Sequence, residues 1–354
     1  MAGRTSGWWS LPGVGTARAL LKTLDRIANG PPAQNGTARA LPEYVDYGAL
    51  MTPPAPFRSL GTTLDGFWAQ ADPDCLQALC RKVFAAPSFD KVSARPIGRH
   101  VMLTWGQIAR VSSMTPPYDQ RGGVAEPQVA VWIPVVVLDP TSARQRFAMF
   151  IPYIWLDNAM SLADGRELFG YPKSWGWLEF PAEGDPAPRW KVDAFGLNYS
   201  PDALAERHPL LEVVRTGTIE QAAVNDLLSL EELARDMATH IFDGGSLLSD
   251  LELIADAVDD VRADRMRGVF LKQFRDVRDG LAAALQQIVE ADYKILRLQA
   301  TPMLAEHRLT VHALDSHPVR TELGLDSQTL GLAYRVEMDF DVGDGRVLWD
   351  AADP

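Results

Sequence analysis

The chain has 354 residues, of which 47% are hydrophobic and 23% charged, and it carries a formal net charge of -12. This is ordinary globular composition, with material for one large domain or two small ones. The acidic balance, with no run of positive charge, argues against nucleic acid as a partner, because phosphate binding needs a basic face.

Residues 1–56 read as an N-terminal extension and linker. Ala17 to Ala28 has Leu20, Leu21, Leu24 and Ile27 at helical spacing, and the Gly/Pro-rich stretch 30–36 ends it. Arg4 followed by Gly-Trp-Trp-Ser-Leu-Pro-Gly lacks the continuous apolar stretch of a signal peptide, and no apolar run reaches the ~18 residues that cross a bilayer. Cys75 and Cys80 are the only cysteines, too few for a disulfide framework or a structural zinc site. A cytoplasmic, reduced protein without a membrane span is expected.

From Asp72 to Ala86 the pattern predicts a helix, with Pro73 in its first turn and Leu76, Leu79 and Val83 on one face. A strand-rich section follows. Val129 to Leu138 is rich in β-branched residues, with Pro134 implying an edge or a bulge, and Gln145 to Leu156 reads as the returning strand. Further strands are expected at 189–197, 294–300, 308–314 and 332–340, the last followed by a Gly343-Asp344-Gly345 turn and a short strand 347–350. Between about 219 and 292 the period becomes helical. Ser229/Glu232 and Ser249/Glu252 match capping boxes, Asp279 suits the N-cap of a helix through Leu281, Leu285 and Ile288, and Leu248, Leu251, Ile254 and Val258 form an apolar face that must be buried. The segment reads as a helical insert, a lid or an assembly element.

The chemically informative stretch runs from Trp155 to Lys173 and ends Gly165-Arg166-Glu167-Leu168-Phe169-Gly170-Tyr171-Pro172-Lys173. It puts a lysine directly after a Gly-Tyr-Pro turn, with Phe169, Tyr171, Trp175 and Trp177 close by. Apolar surroundings disfavour the ammonium form of an amine, and a neutral amine can attack a ketone to form a Schiff base. The alternative for any lysine is a solvated surface role.

Leu156-Asp157-Asn158, then Gly165-Arg166-Glu167-Leu168, then Tyr171-Pro172-Lys173 resemble the signature of the acetoacetate decarboxylase superfamily at matching spacing. The resemblance covers residues 57–216 and, more faintly, 294–350. It implies an α+β fold whose antiparallel, β-rich strands form a barrel or cone around a pocket, in a domain spanning 57–354. It further implies that Lys173 forms the Schiff base, without metal or organic cofactor, on a small oxo acid, and that the protein is a homo-oligomer. Glu126, before Pro127 and the 129–138 strand, matches the family's pocket carboxylate, and Arg58 is the nearest match to an arginine that receives the substrate carboxylate. Tyr171 and Arg166 are the remaining substrate-binding candidates. Decarboxylation of a β-keto acid is the favoured reaction. Aldol-type condensation or dehydration of a 2-oxo acid, or a non-catalytic binding role, are the rivals. One departure stands out: acetoacetate decarboxylases carry a second lysine directly after the first, and here that position is Ser174, leaving Arg166, Lys191 or desolvation by tryptophans to take its part.

The six histidines, His100, His208, His240, His307, His312 and His317, show no metal-ligand spacing. Gly13-Val14-Gly15 lacks the third glycine of a dinucleotide fingerprint, and no G-x-S-x-G elbow is present.

Overall fold

The structure is a computed structural model, and it describes residues 41–46, 52–138, 145–217, 260 and 263–353. The chain divides into two units, Met1–Tyr47 and Gly48–Pro354. Of the first, residues 41–46 are without regular structure and exposed. The helix expected at 17–28 and the linker at 30–36 lie outside the described residues.

The second unit is built on strands, in chain order β1 (Phe57–Gln70), β2 (Ser93–Pro96), β3 (His100–Ser113), β4 (Val124–Leu138), β5 (Gln145–Leu156), β6 (Lys173–Glu179), β7 (Arg189–Gly196), β8 (Glu206–Arg215), β9 (Arg265–Arg275), β10 (Ala283–Pro302), β11 (His307–Val311), β12 (Gln328–Leu330) and β13 (Ala333–Asp350). Their order is β12-β11-β8-β7-β6-β5-β9-β10-β13-β1-β3-β4-β2, with β5 also paired to β4. Following the pairings β4–β3–β1–β13–β10–β9–β5 and back to β4 closes a ring. The closing contacts are the antiparallel β4–β5 ladder and a short parallel pairing of β5 with β9 at Met149↔Gly268 and Phe150↔Val269. The β-rich α+β expectation is met, with the strands running in a ring. The sheet continues through β6, β7, β8, β11 and β12 as an extension branching from β5.

Among the described residues the α-helices are α1 (Pro73–Cys80), α2 (Ala159–Leu168) and α3 (Val319–Leu323). In α1, Asp72 caps the N-terminus, accepting from the backbone N–H of Asp74 and Cys75, and Leu76 and Leu79 are buried. Arg81–Ala85 continues it as a π-helical turn that buries Phe84, whose ring meets Phe150 edge-on at 4.8 Å. The apolar residues separate by strand alternation. One cluster takes Phe67, Trp105, Val129, Val131 and Ile133 together with Trp190, Val192 and Leu210 of the sheet extension. Another takes the opposite side chains, Ala130, Trp132, Ile154 and Leu156, together with Phe57, Phe169, Phe270 and Tyr293. Burial on this scale contributes about 2 kcal/mol for each large apolar side chain.

Pro134 lies inside a paired strand rather than at the sheet edge. β3 pairs with β4 as far as Trp132, β2 takes over at Val135, and the β5 register shifts between Val131 and Ile133. The proline, which has no N–H to donate, occupies the hand-over beside that bulge.

Two expectations are corrected. Residues 265–292, read as helical, form β9 and the start of β10, an antiparallel hairpin. Asp279 stands in its connecting turn, where its Oδ1 accepts from the Leu281 N–H at 3.0 Å, and Leu285 and Ile288 lie in β10. The remainder of the expected insert, 219–259, with both capping boxes and the apolar face at Leu248, Leu251, Ile254 and Val258, lies outside the described residues. Gly343-Asp344-Gly345 is a bulged part of one continuous strand, since β10 stays paired across it from Tyr293↔Val342 to Ala291↔Gly345. Gly343 and Asp344 on β13 stand against Asp292 alone on β10, so the irregularity is absorbed as a bulge.

Candidate active site

Lys173 opens β6 and lies beside Ile154 of β5 in parallel register. Glu126 lies on β4, opposite Ile108 of β3. Helix α2 bridges these strands. Its N-cap, Asn158, accepts from the N–H of Met160 and Ser161 and donates through Nδ2 to the Ala125 carbonyl at 2.8 Å. The same asparagine thus starts the helix and fastens it to the residue before Glu126. At the other end of α2, the N–H of Tyr171 bonds the Gly165 carbonyl at 3.1 Å and that of Lys173 bonds the Tyr171 carbonyl at 2.7 Å. The Arg166 guanidinium donates to the Lys173 carbonyl at 3.1 Å. Arg166 is exposed and serves the backbone of the motif.

This scaffold brings Lys173 and Glu126 together. Nζ donates to Glu126 Oε1 at 2.8 Å, with side-chain exposures of 6% and 9%. The ring of Tyr171 is centred 5.5 Å from Nζ, stacks on Phe169 and meets Phe270 edge-on at 4.4 Å. Its hydroxyl shares a 2.7 Å hydrogen bond with that of Tyr293, and burial pushes both phenols well above their ordinary range. The pair is neutral at any working pH.

Two glycines make the motif possible. A Cβ on Gly165 would stand 2.8 Å from both Cδ and Cε of Lys173 and 3.0 Å from Nζ, so the lysine chain runs through the space that a side chain would fill. Gly170 has a φ of +77°, and its absent Cβ would stand 2.4 Å from the Lys272 Cα of β9. Here the neighbour is backbone and cannot yield. Gly170→Ala is therefore expected to destabilise the fold, by about 1–2 kcal/mol from the left-handed φ alone and by more from the overlap. A thermal melt reads this as a lowered Tm, and an unchanged Tm would mean that β9 does not approach the motif.

Asp164, the residue before Gly165, joins the cluster, and sequence reasoning gave it no role. Its carboxyl is pushed up to about 7, foremost by burial. Lys173 pulls it down, while Glu126 and Glu167 push it further up. Its Oδ1 is shut off from water and makes no hydrogen bond. The available signal was an acid within a helix directly before the glycine of the motif, which reads equally well as a solvated helix face.

Arg58 is held elsewhere. Its guanidinium makes a two-pronged pair with Asp341, at 2.8 and 2.9 Å. Strand alternation turns it to the side opposite Phe57, the residue that packs edge-on against Phe169. Lys191 is engaged by Asp193 at 3.0 Å. Ser174 follows Lys173 on β6, so its side chain points to the other face, with Oγ 3.4 Å from the Ile154 carbonyl. Among the described residues, no three His, Cys, Asp or Glu side chains gather as a cation site, and no helix is long and apolar enough to cross a membrane.

No protein-family model matches the chain, and no curated protein does. Solved structures do match. An acetoacetate decarboxylase from Legionella pneumophila is similar with a TM-score of 0.56 and 13% identity, over 90% of this chain and 95% of that one. A second acetoacetate decarboxylase is similar with a TM-score of 0.53 and 16% identity, over 85% and 92%. The enduracididine biosynthesis enzyme MppR, solved with pyruvate, is similar with a TM-score of 0.51 and 13% identity, over 86% and 93%. At these identities the likeness establishes the fold. The chain has the acetoacetate decarboxylase-like fold.

Proposed function

We propose that this protein is a cofactor-independent Schiff-base enzyme in which Lys173 acts on a small oxo acid, with decarboxylation of a β-keto acid as the favoured reaction. The observation that carries this reading is the buried contact of Lys173 Nζ with Glu126 at 2.8 Å, within a fold shared with acetoacetate decarboxylases. Glu126 is the base hydrogen-bonded to the amine. It takes a proton from Nζ, and the freed lone pair attacks the keto carbon. The carbinolamine then loses water to give a protonated imine. In a β-keto acid, the bond to the carboxylate breaks next, its electron pair flowing into the imine nitrogen as CO₂ leaves. The enamine takes a proton at carbon, and hydrolysis returns the lysine. The apolar wall of Phe169, Tyr171 and Phe270 limits the water that would hydrolyse the imine early.

A second reading, aldol-type condensation or dehydration of a 2-oxo acid, uses the same imine. It is supported by the likeness to MppR, which was solved with pyruvate. The two readings share an outcome: borohydride reduction in the presence of acetoacetate or pyruvate places the mass adduct on the peptide containing Lys173. Loss of CO₂ from acetoacetate separates the first from the second. No adduct with either acid would leave the fold as that of a non-catalytic binding protein. We also expect a cytoplasmic homo-oligomer, with residues 57–354 as the catalytic domain, 1–56 as an extension, and Tyr171 lining the substrate side of Lys173.

The position of Ser174 bears on activation. A lysine there would leave β6 on the face away from Nζ. Ser174→Lys is therefore expected to move the pH–rate profile by only a small amount. A large rise of activity at neutral pH, read from the profiles of both proteins, would show that the added charge does reach Nζ.

A further inference from the structure

We infer that Asp164 is the second proton carrier of this site, the acid that protonates the hydroxyl leaving the carbinolamine on Lys173. The inference rests on Lys173 as the imine-forming residue and gives the leaving hydroxyl a donor separate from Glu126, which by then holds the proton taken from Nζ.

The placement comes from α2. Asn158 anchors the helix next to Glu126, and Gly165 lets the lysine chain pass against it. Asp164 directly precedes that glycine, so one short helix sets the position of amine, base and second carboxyl together. Its Oδ1 is buried without a hydrogen-bond partner. A buried polar oxygen left unpaired costs about 1–3 kcal/mol, which the fold does not relieve internally and which a bound hydroxyl would. Glu126 accepts the hydrogen bond of Nζ and is committed to that contact.

The charges around Asp164 fit a donor. Lys173 on β6 draws its carboxyl down, while Glu126 on β4 and Glu167 on α2 itself oppose protonic release, and with burial they leave it at about 7. From the other packed elements, Tyr171 and Tyr293 present neutral phenols. On β9, burial lowers the Lys272 amine, and the charge of Glu167 opposes this to a lesser degree. Near neutral pH, Asp164 can both give and receive a proton, as efficient general acid catalysis requires. The step balances as follows. Nζ has already bonded to the former carbonyl carbon. The C–O bond breaks with its electron pair on oxygen, the Asp164 proton completes a water molecule, and the nitrogen lone pair fills the C=N bond. The Asp164 carboxylate is then free to take a proton from the adjacent carbon.

The test measures the rate at which the full-length protein forms an adduct with acetylacetone, a neutral diketone that yields an absorbing enaminone on an amine. Rates are read from mildly acidic to mildly alkaline pH, with borohydride trapping of acetoacetate and pyruvate alongside. The wild-type rate should fall as pH rises through about 7. Asp164→Asn should slow adduct formation on the order of 100-fold and remove that limb. An Asp164 that acts only through its charge predicts the opposite sign, because removing a negative charge near an amine eases its deprotonation and speeds attack. An unchanged or faster Asp164→Asn therefore overturns the inference while leaving Lys173 in place. If the wild type forms no adduct with any of the three probes, the Schiff-base reading itself fails, and this inference with it. Should Asp164→Asn not fold, Asp164→Glu is read in its stead. Its limb must move with the new carboxyl, and a limb that stays where it was overturns the assignment.

Discussion

Lys173→Met is expected to abolish borohydride-dependent adduct formation and to lower stability by about 3–5 kcal/mol, because it leaves the Glu126 carboxylate buried and unpaired. The two side chains are 6% and 9% exposed, so water cannot replace the lost partner. Glu126→Gln alone should also destabilise, since the ammonium loses its charged acceptor while keeping an amide oxygen. In the double variant both charges are gone, and the amide can face the thioether without an ionic penalty. Its destabilisation should be smaller than the sum of the two single variants by roughly 2–3 kcal/mol, the signature of a coupled pair. Urea unfolding of the four proteins gives these values directly. Additivity within a few tenths of a kcal/mol would mean that Lys173 and Glu126 are not bonded in solution. Activity discriminates further. Glu126→Gln keeps the amine and so should still trap oxo acids, slowly, whereas Lys173→Met should not trap at all. Equal trapping by both would place the imine on another lysine.

The parts of this site that the sequence revealed are those where one residue type has a single physical use. Gly170 before Tyr-Pro and the lysine after that turn could be read from order and spacing, whereas Asn158 entered only as part of the family signature and its capping role came from the fold. The structure shows the basis of each: a cap that also ties down β4, a left-handed turn against β9, and a strand start beside β5. The hairpin of β4 and β5 was also legible, because β-branched runs flanking a turn allow few alternatives. The hairpin of β9 and β10 was not. Leu281, Leu285 and Ile288 stand at helical intervals, and where these strands are buried on both faces, as at Ile288 to Ala291, no polar–apolar alternation marks them. Nor was the pairing of Arg58 legible. Its matching in sequence was loose, and its partner, Asp341, lies 283 residues away, a distance no local pattern can report. Asp164 was hidden because its character comes from burial and from three charged neighbours, none of which is visible until the chain is folded.

Gly165→Ala separates the fold of the site from its chemistry. Within a helix, alanine is favoured over glycine by about 1 kcal/mol, and Gly165 lies inside α2. Its backbone carbonyl bonds to Phe169 and Tyr171, contacts that a methyl group leaves intact. The atoms that the new Cβ would meet are Cδ, Cε and Nζ of Lys173, at 2.8, 2.8 and 3.0 Å, and these belong to the movable end of a flexible side chain. The fold should therefore keep or slightly gain stability, while the lysine swings away from the position that Glu126 holds. A displacement of this size, about 1 Å, is enough to cost on the order of 100-fold in rate. The expected result is a Tm equal to or above that of the wild type, with imine formation slowed about 100-fold. A lowered Tm with unimpaired trapping would reverse both halves: it would mean that Lys173 reaches its reactive position by another path and that Gly165 is needed only for packing.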